Sequence, residues 1–170
     1  QGIDGMFDFE DVYSEMVHIA EDSFHFVEVG AWRGKSSAYL ATEINNSGKN
    51  IKFDVIDTWE GSKGDKDEEW HNNVIENLDV SLYDDFLRNV EPVKHIINPI
   101  VGRSTYVAEN YEDNSLDFVF IDAAHDYDNV KADIEAWFKK VKTGGYIGGH
   151  DYNGYWTGVK RAVNWYFDND

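Results

Sequence analysis

The stretch FHFVEVGAWRGKSS, Phe24 to Ser37, decides how the rest of the chain is read. Phe24 to Val29 is mostly apolar and reads as a short buried strand. Gly30 and Gly34 then bracket three residues, and a helix pattern begins at Lys35. Glycines let a backbone bend sharply and let a ligand approach it closely. The helix start that follows offers free N–H groups. Glu28 stands just before the first glycine.

Working outward, the same alternation repeats. Phe9 to Glu21 precedes the stretch and carries Val12, Tyr13, Met16, Val17 and Ala20 at helical spacing. Lys35 to Ile44 reads as a helix that ends in the turn-like NNSGKN. IKFDVI, Ile51 to Ile56, is a second strand. His95 to Val101 is a third, and Pro99 directs it to a sheet edge or a strand end. LDFVFI, Leu116 to Ile121, is a fourth. Asn129 to Val141 follows as a helix with Val130, Ile134, Trp137, Phe138 and Val141 on one stripe, stopped by Gly144 and Gly145. Tyr146 to Gly149 is a short fifth strand, and Gly158 to Phe167 a last helix. Gly61 to Val90 breaks the alternation: it is polar, charged and helical, with Ser81 as a helix start, and reads as an inserted lid.

Strands alternating with helices predict an α/β fold: a Rossmann-like, doubly wound, mostly parallel sheet with helices on both faces. All 170 residues read as one domain, with the helical insertion at about 61–90. The absence of cysteine excludes disulfides, cysteine zinc sites and cysteine nucleophiles. No apolar run reaches membrane-spanning length, and the first residues lack the basic and apolar regions of a signal peptide. The expectation is a soluble cytoplasmic protein that does not engage membranes. The formal net charge of −18 repels phosphate backbones, which argues against nucleic acid as a partner. The acids are spread along the chain, so they read as a solvated surface.

In such sheets ligands sit at the carboxyl ends of the strands, beside the switch in strand order. The residues there are Gly30, Asp57, Gly102 to Ser104, Asp122, His150 and Asp151. The first turn lacks the G-x-G-x-x-G dinucleotide fingerprint, and GAWRGKSS is one residue short of a phosphate loop. A plain strand-to-helix connection would read the same. Asp57 can accept hydrogen bonds from a ribose diol, and Ser104 can meet an adenine edge. Asp122, His150 and Asp151 converge as two carboxylates and an imidazole, a set able to hold a divalent ion. His125, three residues past Asp122, can take a proton from a hydroxyl. Asp126 or Asp128 is the expected helix cap. His18, His25, His71 and His95 read as structural or surface residues.

VEVGAWRGKSS, VIDTWEGS and FIDAAHDYDNVKADIEAWFKKVKTGGYIGGHDY followed by GVKRAVNWYF together carry a resemblance. The chain resembles the class I S-adenosylmethionine-dependent methyltransferases from about Phe24 to Phe167. Within them it is similar to the antibiotic-sugar O-methyltransferases and the cephalosporin-hydroxylase-like group. The long final motif is the specific part; the first is shared by many cofactor-binding proteins. The resemblance implies S-adenosylmethionine as cofactor. Glu28, Gly30 and Gly34 would frame its methionine end, Asp57 its ribose and Ser104 its adenine, with Ala31, Ser36, Thr58, Trp59 and Asp122 completing the set. It implies a magnesium site at Asp122, His150 and Asp151, and His125 as catalytic base beside Asp122. Tyr152, Tyr155 and Trp156, with the 61–90 segment, are the expected acceptor contacts.

The chain departs from that family twice. Members usually continue into a terminal pair of strands, which are missing before Asp170, so either the sheet is shortened or the chain is truncated; an exposed sheet edge would need cover, for which a second subunit, a homo-oligomer, is one candidate. His150 also sits where an all-oxygen magnesium site would carry an acid or amide, which opens the site to manganese, iron or zinc. The reading is a methyltransferase acting on an oxygen of a small molecule, a sugar or natural product. Two alternatives stand beside it: a non-catalytic Rossmann-like binding module, and an NAD-dependent oxidoreductase or epimerase.

Overall fold

The computed structural model describes residues 2–61 and 68–168. The order of elements is α1 (Glu10–Ile19), β1 (His25–Val29), α2 (Lys35–Ser47), β2 (Lys52–Asp57), α3 (Glu68–Glu76), α4 (Leu82–Val90), β3 (Ile97–Val101), α5 (Ser104–Ala108), β4 (Leu116–Ile121), α6 (Tyr127–Phe138), β5 (Val141–Gly149) and α7 (Thr157–Phe167). Among the described residues no helix is long and apolar enough to cross a membrane.

All strand pairs are parallel, and the sheet order is β3-β2-β1-β4-β5. The order reverses between β1 and β4, which leaves a crevice above their carboxyl ends. Strand side chains alternate between the two faces. Phe26, Phe53, Phe118 and Phe120 pack under α1, α2 and α4 on one face. Val27, Val29, Ile56, Val119 and Ile121 pack under α5, α6 and α7 on the other. Each such side chain, fully buried, contributes about 1.5–3 kcal/mol. Pro99 lies in β3, an edge strand, where its missing N–H costs no ladder bond. Ser81 caps α4 by accepting from the Asp84 N–H, and Asp126 caps α6 by accepting from the Asn129 N–H.

Two elements differ from the sequence reading. The glycine pair does not stop α6, which ends at Phe138; Gly144 and Gly145 lie inside β5, at an irregularity in its register with β4. A Cβ on Gly145 would stand 2.9 Å from the Asp117 carbonyl oxygen, so glycine is what lets β5 close against β4. The 61–90 segment is not a single polar lid. Leu82, Phe86 and Val90 of α4 are buried against α2, and α4 is part of the core. Residues 62–67, which belong to the expected lid, lie outside the described residues.

Candidate functional site

The turn between β1 and α2 is held from two sides. The Gly30 N–H donates to the Ile56 carbonyl at 2.8 Å, and the Asp122 N–H donates to the Val29 carbonyl at 2.8 Å. These bonds draw the ends of β2, β1 and β4 together. At Gly30, with φ of +90°, a Cβ would lie 1.9 Å from the Asp122 carbonyl oxygen. Gly34, with φ of +86°, opens α2 where a Cβ would lie 2.8 Å from Phe86. Both glycines are therefore set by close backbone or core approach.

Asp57 is the second hold. One carboxylate oxygen accepts from the Ala31 and Trp32 N–H groups at 2.7 and 3.0 Å, and the other accepts from the Trp59 N–H at 2.8 Å. Asp57 thus ties the turn to the end of β2 while facing the crevice with Thr58. Trp59 is buried and donates its indole N–H to the Trp32 carbonyl.

Glu28 lies beneath the turn, 1% exposed, and does not line the crevice. Tyr13 and Ser37 donate to its two oxygens. Burial pushes its carboxyl up to about 7, against the lowering effect of the Ser37, Tyr13 and Ser36 hydrogen bonds. Gly34 and Ser36 also stand behind the turn, outside the crevice lining.

The crevice is a cavity of about 670 Å³ running along the carboxyl ends of all five strands. Asp57, Asp122, Asp126, Asp133 and Asp151 line it, against Arg103 as the one arginine or lysine among the described lining residues. Near β4 and β5, ligand atoms of Asp122, His125 and Asp151 all lie within 4.8 Å of one another. His125 Nε2 is 3.0 Å from Asp151 Oδ2, and its ring stacks on Trp156 with centroids 3.8 Å apart. Asp151 sits at φ of +63°, a left-handed conformation that aspartate tolerates better than most residues.

His150, expected as a metal position, stands beside the converging set rather than in it. Its Nε2 is 2.8 Å from Asp8, and its Nδ1 is 3.3 Å from Asp151 and 3.7 Å from Asp122. Hydrogen bonding to Asp122 and Asp151 raises it to about 11, which favours its protonated form beside these two carboxylates. Burial alone would raise the Asp151 carboxyl, but the His125 and His150 bonds outweigh it and hold it well below the usual range.

At the β3 end, the Ser104 hydroxyl donates to Asp133 Oδ1 and accepts from the Trp137 indole at 3.2 Å. Asp133 was not legible as a site residue. The signal was there: an acid at the spacing of Val130, Ile134 and Trp137, on the apolar stripe of α6. Burial pushes its carboxyl up to about 6, against the Ser104 bond.

The expected acceptor contacts are redistributed. Trp156 lines the cavity, whereas Tyr152 and Tyr155 are exposed and do not. The cavity mouth is instead made by Met6, Trp32, Trp70 and His71. Trp32 and Trp70 stand 5.8 Å apart, and the His71 ring meets both edge-on. Trp70 and His71 come from α3, the described part of the expected lid.

A family model described as a methyltransferase domain matches residues 27–152. No curated protein sequence matches the chain significantly. Among solved structures, the chain is similar to the O-methyltransferase NovP, with 19% identity, 95% of this chain and 71% of that one covered, and a TM-score of 0.69. It is similar to a precorrin-6y C5,15-methyltransferase from Geobacter metallireducens GS-15, with 12% identity, 98% and 72% covered, and a TM-score of 0.66. It is also similar to CalS11, a calicheamicin methyltransferase, with 15% identity, 92% and 68% covered, and a TM-score of 0.59. At these identities the structures share the fold.

Proposed function

We propose that this chain, which belongs to the methyltransferase-domain family and is an S-adenosylmethionine-dependent methyltransferase, methylates a hydroxyl oxygen of a small molecule. One observation carries the choice of acceptor atom: the His125–Asp151 pair beside Asp122 in the cavity wall. A hydroxyl is a poor nucleophile until its proton leaves, so a transferase acting on oxygen needs a base within reach. The names of NovP, an O-methyltransferase, and CalS11, a calicheamicin methyltransferase, support a small-molecule acceptor.

The cavity fits the cofactor. Its volume of about 670 Å³ lies in the range of small-molecule sites, and its carboxylates suit a cationic ligand. Bound there, S-adenosylmethionine supplies an electrophilic methyl on a sulfonium. Gly30, Ala31, Asp57 and Thr58 would hold its middle, between the β4–β5 acids and the β3 end. Asp151 Oδ2, 3.0 Å from His125 Nε2, would orient the imidazole as a base. A proton taken by His125 would make an imidazolium that the Asp151 carboxylate stabilises. Trp156 fixes the ring plane by stacking. Trp32 and Trp70 would meet a flat acceptor face at the mouth and exclude water from it.

A second reading is favoured by the 4.8 Å convergence: Asp122, His125 and Asp151 would hold a divalent ion. An ion there would lower the pKa of a coordinated hydroxyl. Two oxygens and one imidazole suit manganese, iron or zinc better than magnesium.

The test uses isotope-labelled S-adenosylmethionine with a panel of phenols, sugars and hydroxylated natural products, read by mass spectrometry with and without added divalent ions. The expected result is label on oxygen, reduced about 100-fold or more in His125→Asn. Undiminished transfer in the variant, or label on carbon or nitrogen alone, would overturn the proposal. Transfer that needs an added ion would favour the second reading.

A further inference from the structure

The segment before α1, residues 2–9, has no regular secondary structure, yet it is tied down along its length. Burial alternates along it: Ile3, Gly5, Phe7 and Phe9 turn inward, and Asp4, Met6 and Asp8 turn outward. Phe9 is buried against Phe120, and the Phe7 ring meets those of Phe9 and Tyr39 with centroids 4.7 and 5.1 Å away. Arg33 Nη1 donates to Asp4 Oδ2 at 3.3 Å, Lys35 Nζ donates to the Gly5 carbonyl at 2.7 Å, and Asp8 meets His150 at 2.8 Å. Segments near a chain end fray unless such ties hold them.

Arg33 and Lys35 flank Gly34 in the turn that Asp57 holds at Ala31 and Trp32, so the segment is registered to that same turn. Met6 stands between the ties at Gly5 and Phe7, 83% exposed, and lines the cavity mouth with Trp32 and Trp70. A Cβ on Gly5 would lie 3.7 Å from Trp32, so the segment's backbone runs against that ring. Three large apolar side chains from separate parts of the chain thus share one mouth. With His71 they present no carboxylate, amide or hydroxyl. Apolar surface held open at a cavity is stabilised when an apolar ligand covers it. A sugar placed there would lose water from its hydroxyls and meet few partners for them, which is costly.

We infer that residues 4–8 form the acceptor-side wall of the cavity, with Met6 selecting an acceptor whose hydroxyl is carried on a flat apolar ring, and Lys35 positioning Met6 through the Gly5 carbonyl. The inference rests on the methyltransferase reading above and adds the residues that choose its acceptor. Lys35 lies outside the cavity lining, so it acts only through the backbone of the segment it holds. Met6 and Trp70 cover the ring of the acceptor from different sides of the mouth, and the hydroxyl is left to face the interior of the cavity.

The test measures S-adenosylhomocysteine affinity by calorimetry, then equilibrium dialysis of the saturated protein against 2-naphthol and against methyl glucoside. It uses the whole chain as wild type, Met6→Ala, Lys35→Met and Lys35→Arg, with folding checked by circular dichroism. Wild type is expected to bind 2-naphthol at least about tenfold more tightly than the glucoside. Met6→Ala is expected to weaken 2-naphthol about 3–10-fold, the size of a lost apolar contact, with S-adenosylhomocysteine affinity within about twofold of wild type. Lys35→Met keeps the stem and removes the ammonium, and is expected to weaken 2-naphthol similarly; Lys35→Arg keeps a donor and is expected to restore it to within about twofold. Wild type that binds the two probes alike, or a Met6→Ala protein that binds 2-naphthol as wild type does, would overturn the inference. Lys35→Met and Lys35→Arg proteins that behave alike, or a Lys35→Met protein that loses S-adenosylhomocysteine affinity by the same factor, would overturn the positioning role. A folded wild type that binds no S-adenosylhomocysteine would remove the cofactor reading itself, a result seen before either probe is added.

Discussion

Replacing Asp57 with alanine removes the acceptor of three backbone N–H groups, those of Ala31, Trp32 and Trp59. These bonds fix the glycine turn against the end of β2, so the variant tests whether the turn is built before any ligand arrives. A hydrogen bond to an ionised group contributes about 1.5–3 kcal/mol net. Asp57 is only partly buried and borders the cavity, so water can replace part of what is lost. The expected destabilisation is therefore about 3 kcal/mol, below the sum of the separate bonds. With a urea slope of about 2 kcal/mol/M, the unfolding midpoint falls by about 1.5 M. Urea denaturation without ligand, followed by tryptophan fluorescence, measures this. Asp57→Asn keeps one acceptor oxygen and should fall between wild type and Asp57→Ala. A midpoint within about 0.3 M of wild type for Asp57→Ala would refute the reasoning, because the carboxylate would then not be holding the turn. Asp57 would be left with ligand binding as its only role.

Burial raises Glu28 from 4.5 to about 7, so the fold prefers its protonated form. That preference stabilises the protein fully below about pH 4.5 and is lost as pH rises through about 7, an effect of about 3 kcal/mol. The urea midpoint of Glu28→Gln should decline less steeply from pH 5 to pH 8 than that of wild type, the remaining decline coming from His150 and Asp133; parallel curves would contradict this. In Gly30→Ala the added methyl would stand 1.9 Å from the Asp122 carbonyl at a positive φ, so a loss of at least about 4 kcal/mol is expected. An unchanged melting temperature would show that β1 and β4 do not approach as described. Trp70→Ala should raise the KM for an acceptor about 2–10-fold with kcat little changed, as for a lost stacking surface. A fall in kcat at constant KM would give Trp70 another role.

The centre of the sheet was legible because β1, β2 and β4 are mostly apolar runs bounded by turn residues, and parallel strands buried on both faces read that way. β5 was misread at its start because a glycine pair inside a strand irregularity looks like a helix stop. Leu82, Phe86 and Val90 carried the core face of α4, but the charges around them masked the stripe. Arg33 pairs with Asp85 there at 2.7 Å, so part of that charge is neutralised within the packing. The candidate site was legible at the strand ends, where Asp57, Asp122, His125 and Asp151 line the cavity. It was not legible where a pair forms only in space. Asp8 meets His150 across 142 residues of sequence separation, and Trp32 meets Trp70 through α3. Asp133 reaches the cavity from inside a helix, and only its place on an apolar stripe sets it apart from a surface acid.

The most direct measurement is diffraction from crystals of this chain grown with S-adenosylhomocysteine. The account predicts density for the compound along the carboxyl ends of the strands, with its sulfur beside Asp122 and His125 and its base towards Ser104. A well-ordered structure with the compound elsewhere, or with none bound at saturating concentration, would contradict the assignment of this cavity as the cofactor site.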